Sequence, residues 1–422
     1  RGFLFYNIII ETKFMNLREH QRQIVDTMQK HSKGQIIVPT GGGKTMCMIK
    51  DAERHLFNLG NRDNKTIVIV APRILLAQQL CAEFVEHITN INILHVHSGE
   101  TPYETTTAID KINFWHKNSS GHKAIFSTYQ SLHKVMRSTI NVDTIYFDEA
   151  HNSVQKNYIE AVKHFATKVS RAYFFTATPK ESNVRTGMND ESIFGKRIVD
   201  VPAPELVNKG YILPPKVKAK KYNCGFFDSQ EQIEKEAILD ALKTEDHMTK
   251  VLVTAKSTTN IHKLLTKTDF MAICHEMRYN VMHITSKFGA IINGKKVSRK
   301  VFFDIMNKWG KDESKKFVMF HHSILSEGMN VSGLTGCILL RNLDLISMAQ
   351  TIGRVIRLHD NDKRHIDAGE LIPGNFEGYH KPFGKMFVPV YSNIGIGTER
   401  RLNSVVDTIF TKGEAQVSIA RK

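Results

Sequence analysis

The sequence has no apolar run long enough to cross a lipid bilayer. The longest one near an end, Phe3 to Ile10, is far below the about 20 residues that a membrane-spanning helix needs. Glu11 and Lys13 follow it where a secretory signal would carry small residues. These features predict a cytoplasmic protein with no membrane partner. Residues 1–14 are interpreted as a dispensable extension, because Met15 stands directly before the first helical pattern.

Cysteine is too scarce and too scattered for a disulfide framework or a zinc site. The sequence has five cysteines, an odd number without any CxxC pair: Cys47, Cys81, Cys224, Cys274 and Cys337. Paired spacings are the usual signature of zinc ligands, and an even count is usual in secreted disulfide scaffolds. The sequence therefore predicts reduced thiols and no zinc.

Acidic residues are too few to balance the basic ones. The 422 residues include 58 Lys and Arg but only 42 Asp and Glu, which gives a formal net charge of +16. An excess of this size favours a polyanionic partner, either nucleic acid or an acidic membrane surface. Hydrophobic residues make up 41% and charged residues 24%, which is typical of a globular protein and argues against a disordered or fibrous chain.

Apolar segments of strand length alternate with helical patterns along almost the whole chain. This alternation predicts an α/β fold with parallel sheets and crossover helices on both faces. In the first half, strands are predicted at Gln35–Pro39, Thr66–Ala71, Ile93–His97, Lys123–Thr128, Thr144–Phe147 and Ala172–Thr176. In the second half, they are predicted at Val251–Thr254, Asn280–Thr285, Lys316–Phe320, Gly336–Leu340 and Met386–Tyr391.

The two series of strands predict two tandem α/β domains. Between them, the chain is interrupted by prolines that prevent a long helix and indicate a hinge near residue 210: Pro202, Pro204, Pro214 and Pro215. We therefore expect a first domain over residues 15–208, a second over residues 209–395, and a C-terminal helix and tail over residues 396–422. The end of the tail, from Thr411, has no clear pattern and is predicted to be frayed.

The first predicted strand leads directly into a glycine-rich segment. Its sequence is Pro39-Thr40-Gly41-Gly42-Gly43-Lys44-Thr45, and a helical pattern follows. Glycines let backbone amides approach a polyphosphate, Lys44 can reach the terminal phosphates, and the Thr45 hydroxyl can bind Mg²⁺. The generic pattern would require glycine where this chain has Val38, so a plain glycine-rich turn stays open as the alternative.

Two carboxylates follow the predicted strand Thr144–Phe147. Asp148 and Glu149 emerge at its carboxyl end, which is where parallel sheets place their sites. An aspartate there can hold Mg²⁺, and its neighbour can orient and deprotonate an attacking water. Alone, such a pair is more often a solvated turn. The strand before it and the glycine-rich segment upstream favour the catalytic interpretation.

A third segment, Gln350–Arg357, lies in the second predicted domain. Arg354 and Arg357 are three residues apart and so project from one face of a helix. Two guanidinium groups suit the spread charge of a transferring γ-phosphoryl group, and such a finger raises the rate by about 10³ to 10⁵. On its own, the segment would more often be a basic, exposed helix face.

In this order, the segments resemble the motifs of superfamily 2 helicases of the DExH type. The resemblance runs from Leu17 to about Tyr391 and is strongest to the group of restriction-enzyme motor subunits and similar repair and transcription helicases. It implies two RecA-like (P-loop NTPase) domains, ATP and Mg²⁺ as cofactors, and a nucleic acid as partner. The family's own form of the glycine-rich motif does not require glycine at Val38.

The resemblance also implies roles for individual residues. Catalysis is implied for Lys44, Asp148, Glu149, Gln350, Arg354 and Arg357. Nucleotide binding is implied for Gln21, Thr40, Gly41, Gly42, Gly43, Lys44, Thr45, Gly328 and Asn330, with Thr45 and Asp148 also holding the metal. Coupling between the domains is implied for His151, Thr176 and Thr178, and nucleic-acid contact near Arg73, Thr128, Thr254 and Thr285. Asn330 stands where this group commonly has aspartate, so it can hydrogen-bond a ribose but carries no charge.

The implied function is ATP-dependent movement along DNA with strand separation or remodelling. A duplex translocase without strand separation, an RNA helicase and an ATP-gated nucleic-acid clamp stay open as alternatives. DNA is favoured by the resemblance alone. We recognise no nuclease or methyltransferase constellation, so a monomeric motor with a separate targeting or nuclease partner is expected.

Three further features have weaker claims. Basic residues surround Phe288 in the segment Lys287–Lys300, which predicts either a loop that contacts a phosphate backbone or a solvated loop. Trp115 and Trp309 are expected in the core rather than stacked on bases. The His321–His322 pair lacks further ligand-spaced partners, so metal binding is not expected there.

Overall fold

Two eight-stranded sheets, with helices packed on their faces, organise the chain. The computed structural model describes residues 17–58, 64–223, 229–245, 247–285, 287–322 and 333–420. Residues 1–14, which were predicted to be dispensable, lie outside the described residues. None of the helices described is both long enough and apolar enough to span a membrane.

The strands and helices follow one another along the chain in an alternating order. The strands are β1 (Lys33–Ile37), β2 (Thr66–Ala71), β3 (Asn92–Val96), β4 (Glu104–Thr105), β5 (Lys123–Thr128), β6 (Thr144–Phe147), β7 (Arg171–Thr176), β8 (Lys180–Ser182), β9 (Arg197–Asp200), β10 (Pro215–Lys221), β11 (Lys250–Thr254), β12 (Tyr279–Thr285), β13 (Gly289–Ile292), β14 (Lys295–Val297), β15 (Lys316–His321), β16 (Gly336–Leu339), β17 (Gly384–Val390) and β18 (Ser418–Ala420). The helices are α1 (Glu19–Lys30), α2 (Lys44–Leu56), α3 (Ile74–His87), α4 (Ile109–Asn118), α5 (Leu132–Met136), α6 (Ile159–Lys168), α7 (Glu191–Phe194), α8 (Ala203–Asn208), α9 (Gln230–Thr244), α10 (Thr258–Lys267), α11 (Phe270–Glu276), α12 (Arg299–Lys311), α13 (Leu345–Val355), α14 (Asp360–Asp367) and α15 (Asn393–Val406). Two short 3₁₀ turns cover Ala150–Asn152 and Phe376–Gly378, and a π-helical turn covers Asp407–Thr411.

The first sheet has the strand order β4-β3-β5-β2-β6-β7-β1-β9, and all neighbouring strands are parallel. Its central strands β2, β5 and β6 are buried along their whole length. Continuous apolar runs suit this position, because crossover helices cover both faces of a parallel sheet. The predicted α/β class with parallel sheets is therefore confirmed.

The second sheet has the order β10-β17-β16-β11-β15-β12-β13-β14. It is parallel from β10 to β12 and ends in the antiparallel hairpin of β13 and β14. The prediction of a loop over Lys287–Lys300 was therefore wrong for most of the segment. Asn293 and Gly294 have φ angles of 47° and 78°, and an Asn-Gly pair is a strong hairpin signal.

All of the predicted strands are present, and none of their ends is displaced by more than two residues. The strands that sequence reasoning missed are short or polar. An example is β10, which forms an edge of the second sheet. Its one proline and four lysines resemble a linker, and its residues are partly buried or exposed. The domain boundary between residues 208 and 209 stays a prediction.

Each sheet buries apolar side chains on both of its faces. One apolar cluster extends through both halves of the chain, from Ile36 of β1 to Leu252 of β11, and includes Leu206 and Leu213 of the connecting segment. The outer faces have clusters of their own. Trp115 is 6% exposed, and Trp309 packs against the shared cluster, so both tryptophans contribute to the core as predicted.

The C-terminal tail packs against the first half of the chain, so the prediction of a frayed end was wrong. After the π-helical turn, β18 pairs in parallel with β8, with Ser418 opposite Lys180. The Ser418 amide also donates a hydrogen bond to the Pro179 carbonyl at 3.1 Å. Backbone hydrogen bonds to a partner more than 200 residues away create this strand, and local periodicity carries no signal of such pairing.

Asp51 of α2 is fully buried and joins this helix to the first sheet. Its Oδ1 accepts hydrogen bonds from Gln29 Nε2 and Arg171 Nη2, each at 2.7 Å. Its Oδ2 accepts another from the Tyr146 hydroxyl at 2.7 Å. Because α2 begins at Lys44, this network holds the helix that presents the lysine of the glycine-rich segment.

Replacing Asp51 by alanine should lower the free energy of unfolding by about 3–5 kcal/mol, because Arg171 would keep a largely buried charge without its partner. Asp26→Ala is the matched control, since it removes an exposed ion pair with Arg54 and should cost at most about 1 kcal/mol. Urea denaturation followed by circular dichroism measures both changes. Similar small losses in the two variants would contradict the role of the buried network.

Candidate active site

A cleft of about 540 Å³ lies between the two halves of the chain. This volume is within the range of about 300–1,000 Å³ that is usual for small-molecule sites. Its lining brings together the three segments singled out in the sequence, with Lys44 and Glu149 on one side and Gln350, Arg354 and Arg357 on the other. Tertiary folding therefore joins residues that are up to about 300 positions apart.

The glycine-rich segment connects β1 to α2 at one wall of the cleft. Gly41 and Gly43 have φ angles of 89° and 83°, which favour glycine over any other residue. Gly43 directly precedes α2, so Lys44 and Thr45 occupy the first turn of this helix and line the cleft. A helix N-terminus preceded by such a turn is a favourable place for a phosphate group.

Glu149 contacts the lysine of the glycine-rich segment. Its Oε1 accepts a hydrogen bond from Lys44 Nζ at 3.2 Å, and both side chains are almost buried. Burial opposes ionisation of Glu149, but Lys44, His151 and Arg354 outweigh it and lower the pKa of the carboxyl group. Glu149 also has a φ of 45°, which is uncommon outside glycine and clusters at functional sites.

Asp148 stands next to Glu149 at the carboxyl end of β6. Its amide donates to the Val70 carbonyl at 2.9 Å, and its own carbonyl accepts a hydrogen bond from the Tyr129 hydroxyl at 2.9 Å. Burial and the neighbouring charge of Glu149 raise the pKa of the Asp148 carboxyl group. A bound cation would reverse this effect. The Asp148 carboxylate and the Thr45 hydroxyl, both at the cleft, are oxygen ligands of the kind that Mg²⁺ prefers, so the site fits this metal.

His151 links the Asp148–Glu149 segment to the end of β7. Its Nδ1 lies 3.1 Å from the Thr176 hydroxyl and 3.6 Å from Glu149 Oε2. Its Nε2 lies 3.2 Å from the Asn152 side-chain amide, which makes Nε2 the acceptor and Nδ1 the donor in the neutral ring. The Thr178 amide donates to the same Thr176 hydroxyl at 3.1 Å. The three residues implied in coupling therefore form one hydrogen-bonded chain.

Gln21 is buried, lines the cleft and contacts the glycine-rich segment. Its Oε1 accepts from the Arg18 amide at 2.9 Å, and its Nε2 donates to the Gly43 carbonyl at 3.3 Å. His20, one residue earlier, donates from Nε2 to the Gly42 carbonyl at 2.7 Å. Two side chains of α1 therefore bind backbone carbonyls of the glycine-rich segment, and Gln21 also lines the cleft.

Arg354 enters the cleft from the last turn of α13, whereas Arg357 lies two residues beyond the end of this helix, so the helix predicted to carry both arginines does not extend to Arg357. Arg354 is 5% exposed, and burial and the charge of Arg357 lower its pKa to about 10, while Glu149 acts in the opposite direction. Burial also lowers the pKa of Arg357. Gln350 Nε2 is buried and makes no hydrogen bond to any residue that the structure describes. The cleft therefore combines concentrated positive charge with an unused donor, which fits a polyphosphate.

Several cleft residues escaped the sequence analysis, and three of them make notable contacts. Glu83 of α3 accepts a hydrogen bond from Thr45, and burial raises its pKa although Arg357 opposes the shift. Lys381 donates from Nζ to the Arg357 carbonyl at 2.9 Å, and burial and the Arg357 charge lower its pKa to about 7. Tyr211 packs under the Arg18 guanidinium at 4.8 Å. Only Glu83 had a sequence signal, as a carboxylate among the apolar residues of a helix face.

The residues implied in nucleic-acid contact divide into two groups. Arg73, directly before α3, is exposed. Thr128, Thr254 and Thr285 stand at the carboxyl ends of their strands, but their side chains are at most 4% exposed and their hydroxyl groups bond to nearby backbone. These three side chains do not offer a contact surface in this structure. Gly328 and Asn330 lie outside the described residues.

Gly353 of α13 marks a close approach of the two halves. A Cβ atom at this position would lie 2.2 Å from Thr40 Cβ, which is far below any real contact. Gly41 lies opposite Arg357, whose Cγ would be 3.8 Å from an added Cβ. The separation of the two walls of the cleft therefore depends on the absence of a side chain at Gly353.

Comparisons with known proteins agree with this architecture. Residues 14–181 match the family described as the res subunit of type III restriction enzymes. No curated protein matches the sequence. The chain is similar over 96% of its length to the ATP-dependent type ISP restriction-modification enzyme LlaBIII bound to DNA, with 15% identity and a TM-score of 0.72. It is also similar over 96% of its length to a nuclease-deletion mutant of the type ISP enzyme LlaGI in complex with a DNA substrate mimic, with 18% identity and a TM-score of 0.65.

The chain spans only 31% and 30% of the length of these two type ISP enzymes. A third similar structure is S. cerevisiae Dbp5 bound to RNA and ADP BeF3, which matches over 97% of this chain and 90% of its own, with 14% identity and a TM-score of 0.55. At these identities the similarity concerns the fold, which is that of tandem RecA-like helicase domains. The predicted RecA-like architecture is thereby confirmed.

Replacing Gly353 by alanine should widen the cleft, because the new methyl group must displace Thr40 and with it the glycine-rich segment. Gly397→Ala is the control, since the nearest atom to its new Cβ would be Asn342 Nδ2 at 3.4 Å. Small-angle scattering, or energy transfer between dyes on the two halves, measures the separation. An unchanged separation in the Gly353 variant would contradict the contact.

Proposed function

We propose that this chain, whose first half is related to the res subunit of type III restriction enzymes, is an ATP-dependent motor that moves along nucleic acid. The observation that carries the proposal is the composition of the cleft. Lys44, Asp148 and Glu149 come from one half of the chain, and Arg354 and Arg357 from the other. Neither half alone holds all the charges that phosphoryl transfer requires, so hydrolysis depends on closure of the two.

The amides of the glycine-rich segment and the N-terminus of α2 would bind the phosphates of ATP, with Lys44 on the terminal ones. Thr45 and Asp148 would hold Mg²⁺, which when bound neutralises charge on the phosphate oxygens. Gln21, which lines the cleft, would contact the adenine base. Gly328 and Asn330 would complete the nucleotide site from the second half.

Glu149 would orient the attacking water and accept its proton. In the structure Glu149 is paired with Lys44 at 3.2 Å. A polyphosphate would compete for Lys44, and the carboxylate would then be available to the water. Arg354 and Arg357 would stabilise the charge that develops on the transferring group, with Gln350 beside them. The neutral donor of Gln350 makes no hydrogen bond within the described part of the chain, which supports this placement.

The contact between Glu149 Oε2 and His151 Nδ1 at 3.6 Å, followed by the hydrogen bonds that join His151, Thr176 and Thr178, would couple hydrolysis to the second half. Thr176 ends β7, and β8 follows directly as the partner of the C-terminal strand β18. A shift of His151 that accompanies loss of the γ-phosphate would therefore reach a segment attached to the second half. We propose residues 15–208 and 209–395 as the two motor domains.

The nucleic acid would lie across the carboxyl edges of the two sheets, near Arg73 in the first half. The net charge of +16 favours such a polyanion. Phosphate contacts would give little sequence specificity of the chain's own. We favour DNA, because two of the similar structures are bound to DNA or to a DNA mimic. RNA is the second candidate, since Dbp5 is bound to RNA. A monomeric motor with a targeting or nuclease partner fits this composition.

Glu149→Gln should abolish turnover while ATP binding is retained, because the neutral amide cannot accept the proton of the water. Lys44→Ala should weaken ATP binding as well. Phosphate release and the binding of a fluorescent ATP analogue measure the two effects separately. The control is Glu160→Gln on the exposed face of α6, which should leave both unchanged. A Glu149→Gln variant with normal turnover would exclude the proposed base.

Nucleic acid should stimulate the hydrolysis of ATP, and the stimulation should weaken as salt increases because phosphate contacts release counterions. Single-stranded DNA, duplex DNA and RNA, tested in parallel across a salt series, identify the polymer. Displacement of a strand, compared with displacement of a triplex, then separates a helicase from a duplex translocase. Hydrolysis that no polymer changes would leave an ATP-gated clamp, or a subunit that needs a partner, as the better description.

A further inference from the structure

A basic patch lies on the second sheet, away from the cleft. It consists of His262, Lys287, Phe288, Lys296, Arg299 and Lys300, and is called the hairpin patch here. Lys287 and Phe288 follow the carboxyl end of β12, and Arg299 and Lys300 begin α12 just after β14. Because β12, β13 and β14 are neighbours in alternating directions, these two segments meet at the same edge of the sheet.

An aromatic pair forms the centre of the hairpin patch. The Phe288 ring stacks on the His262 ring with centroids 4.5 Å apart and an angle of 14° between planes. The Phe288 amide donates to the Thr285 hydroxyl at 3.0 Å, which holds the residue against the end of β12. Lys287 Nζ lies 5.5 Å from the centre of the Phe288 ring. Phe288 is therefore held by His262 and Lys287 while it stays partly exposed.

Basic side chains surround this pair. Lys287, Lys296, Arg299 and Lys300 are all exposed. Lys296 Cε lies 3.5 Å from the place of a Cβ atom on Gly289, so its side chain extends over that glycine towards the loop of Lys287. None of the four is in an ion pair with a carboxylate of the described residues. Their charges are therefore available to an external anion.

The hairpin patch faces the same way as the other strand ends. Thr254 ends β11 and His321 ends β15, and both strands are parallel to β12, so the patch shares the carboxyl edge with them. Along the strand order, the hairpin of β13 and β14 forms one side of this sheet. The residues of α13 that line the cleft lie towards the other side, where α13 packs on β16 and β17. A ligand on the hairpin patch would therefore not touch the nucleotide site.

We propose that the hairpin patch binds the sugar-phosphate backbone of the nucleic acid along which the chain moves, with Phe288 as a platform for a base. Four cations around a π-face match a phosphate chain that carries stackable bases better than they match an acidic protein surface. The identification of the bound polymer as nucleic acid rests on the proposed function. This binding site moves the contact that the resemblance implied near the buried Thr285 to the side chains of Lys287 and Phe288, and it adds the basic residues around the hairpin.

The test is the combined charge reversal Lys287→Glu and Lys296→Glu in the full chain. Anisotropy of a labelled single-stranded oligonucleotide, measured without nucleotide across a salt series, should show binding at least about tenfold weaker. The slope of log affinity against log salt should fall by about 1.4, since each lost phosphate contact to a single strand removes about 0.7. The Kd for a fluorescent ATP analogue should not change.

The matched control is Lys308→Glu with Lys315→Glu, which makes the same charge change. Lys308 lies near the C-terminal end of α12, and Lys315 precedes β15, so both are at the opposite edge of the sheet. This variant should bind the oligonucleotide within about twofold of the unmodified chain, since long-range charge effects are screened at physiological salt. Melting temperatures of both variants establish that the fold is intact.

A second variant tests the platform. Phe288→Ala should weaken the binding of the single strand and should reduce the stimulation of ATP hydrolysis by that strand. Phe288→Tyr should restore both. If the charge reversal binds like its control, the inference is overturned and the patch is left to a protein partner. If the unmodified chain binds nucleic acid through the patch but hydrolysis is not stimulated, the proposed motor function fails while the patch stands.

Discussion

The structure depends on the burial of opposite charges in one cleft between two separately wound sheets. Lys44, Asp148 and Glu149 come from the first half, and Arg354 and Arg357 from the second. Removing such groups from water is costly unless partners compensate, so each half stabilises charges of the other. Glu149 illustrates this balance, because its ionised form is favoured by Lys44 from its own half and by Arg354 from the other half. The cleft is therefore sensitive to the distance between the halves.

Small side chains and backbone contacts set that distance. Gly353 permits the approach to Thr40, and the connecting segment is held to the second half by a hydrogen bond from the Leu213 amide to the Ile356 carbonyl at 2.7 Å. The tail adds a second connection, because β18 pairs with β8. The strand β8 follows shortly after Thr176, which is hydrogen-bonded to His151. Contacts between the two halves are therefore present at two places, Gly353 against Thr40 and β18 beside β8.

Much of the framework was predictable because its signals are local. Buried parallel strands such as Thr66–Ala71 need continuous apolar runs, and the turn before Lys44 needs glycine at positive φ. The misses share one cause. Strands such as β10, β14 and β18 are short or polar, and their stability comes from hydrogen bonds to partners that are distant in sequence or from a turn. Thr254 and Thr285 were expected to face a nucleic acid, yet each is buried because it ends a central strand.

The sequence by itself determined the α/β class, the order of the strands along the chain and the chemical types of the residues that meet in the cleft. These follow from periodicity and from residue chemistry, which act over a few positions. Only the tertiary structure decided that Glu149 pairs with Lys44, that Lys381 and Glu83 join the cleft, and that the tail returns to β8. Such contacts connect distant segments, and their energies depend on burial and geometry that no local pattern encodes.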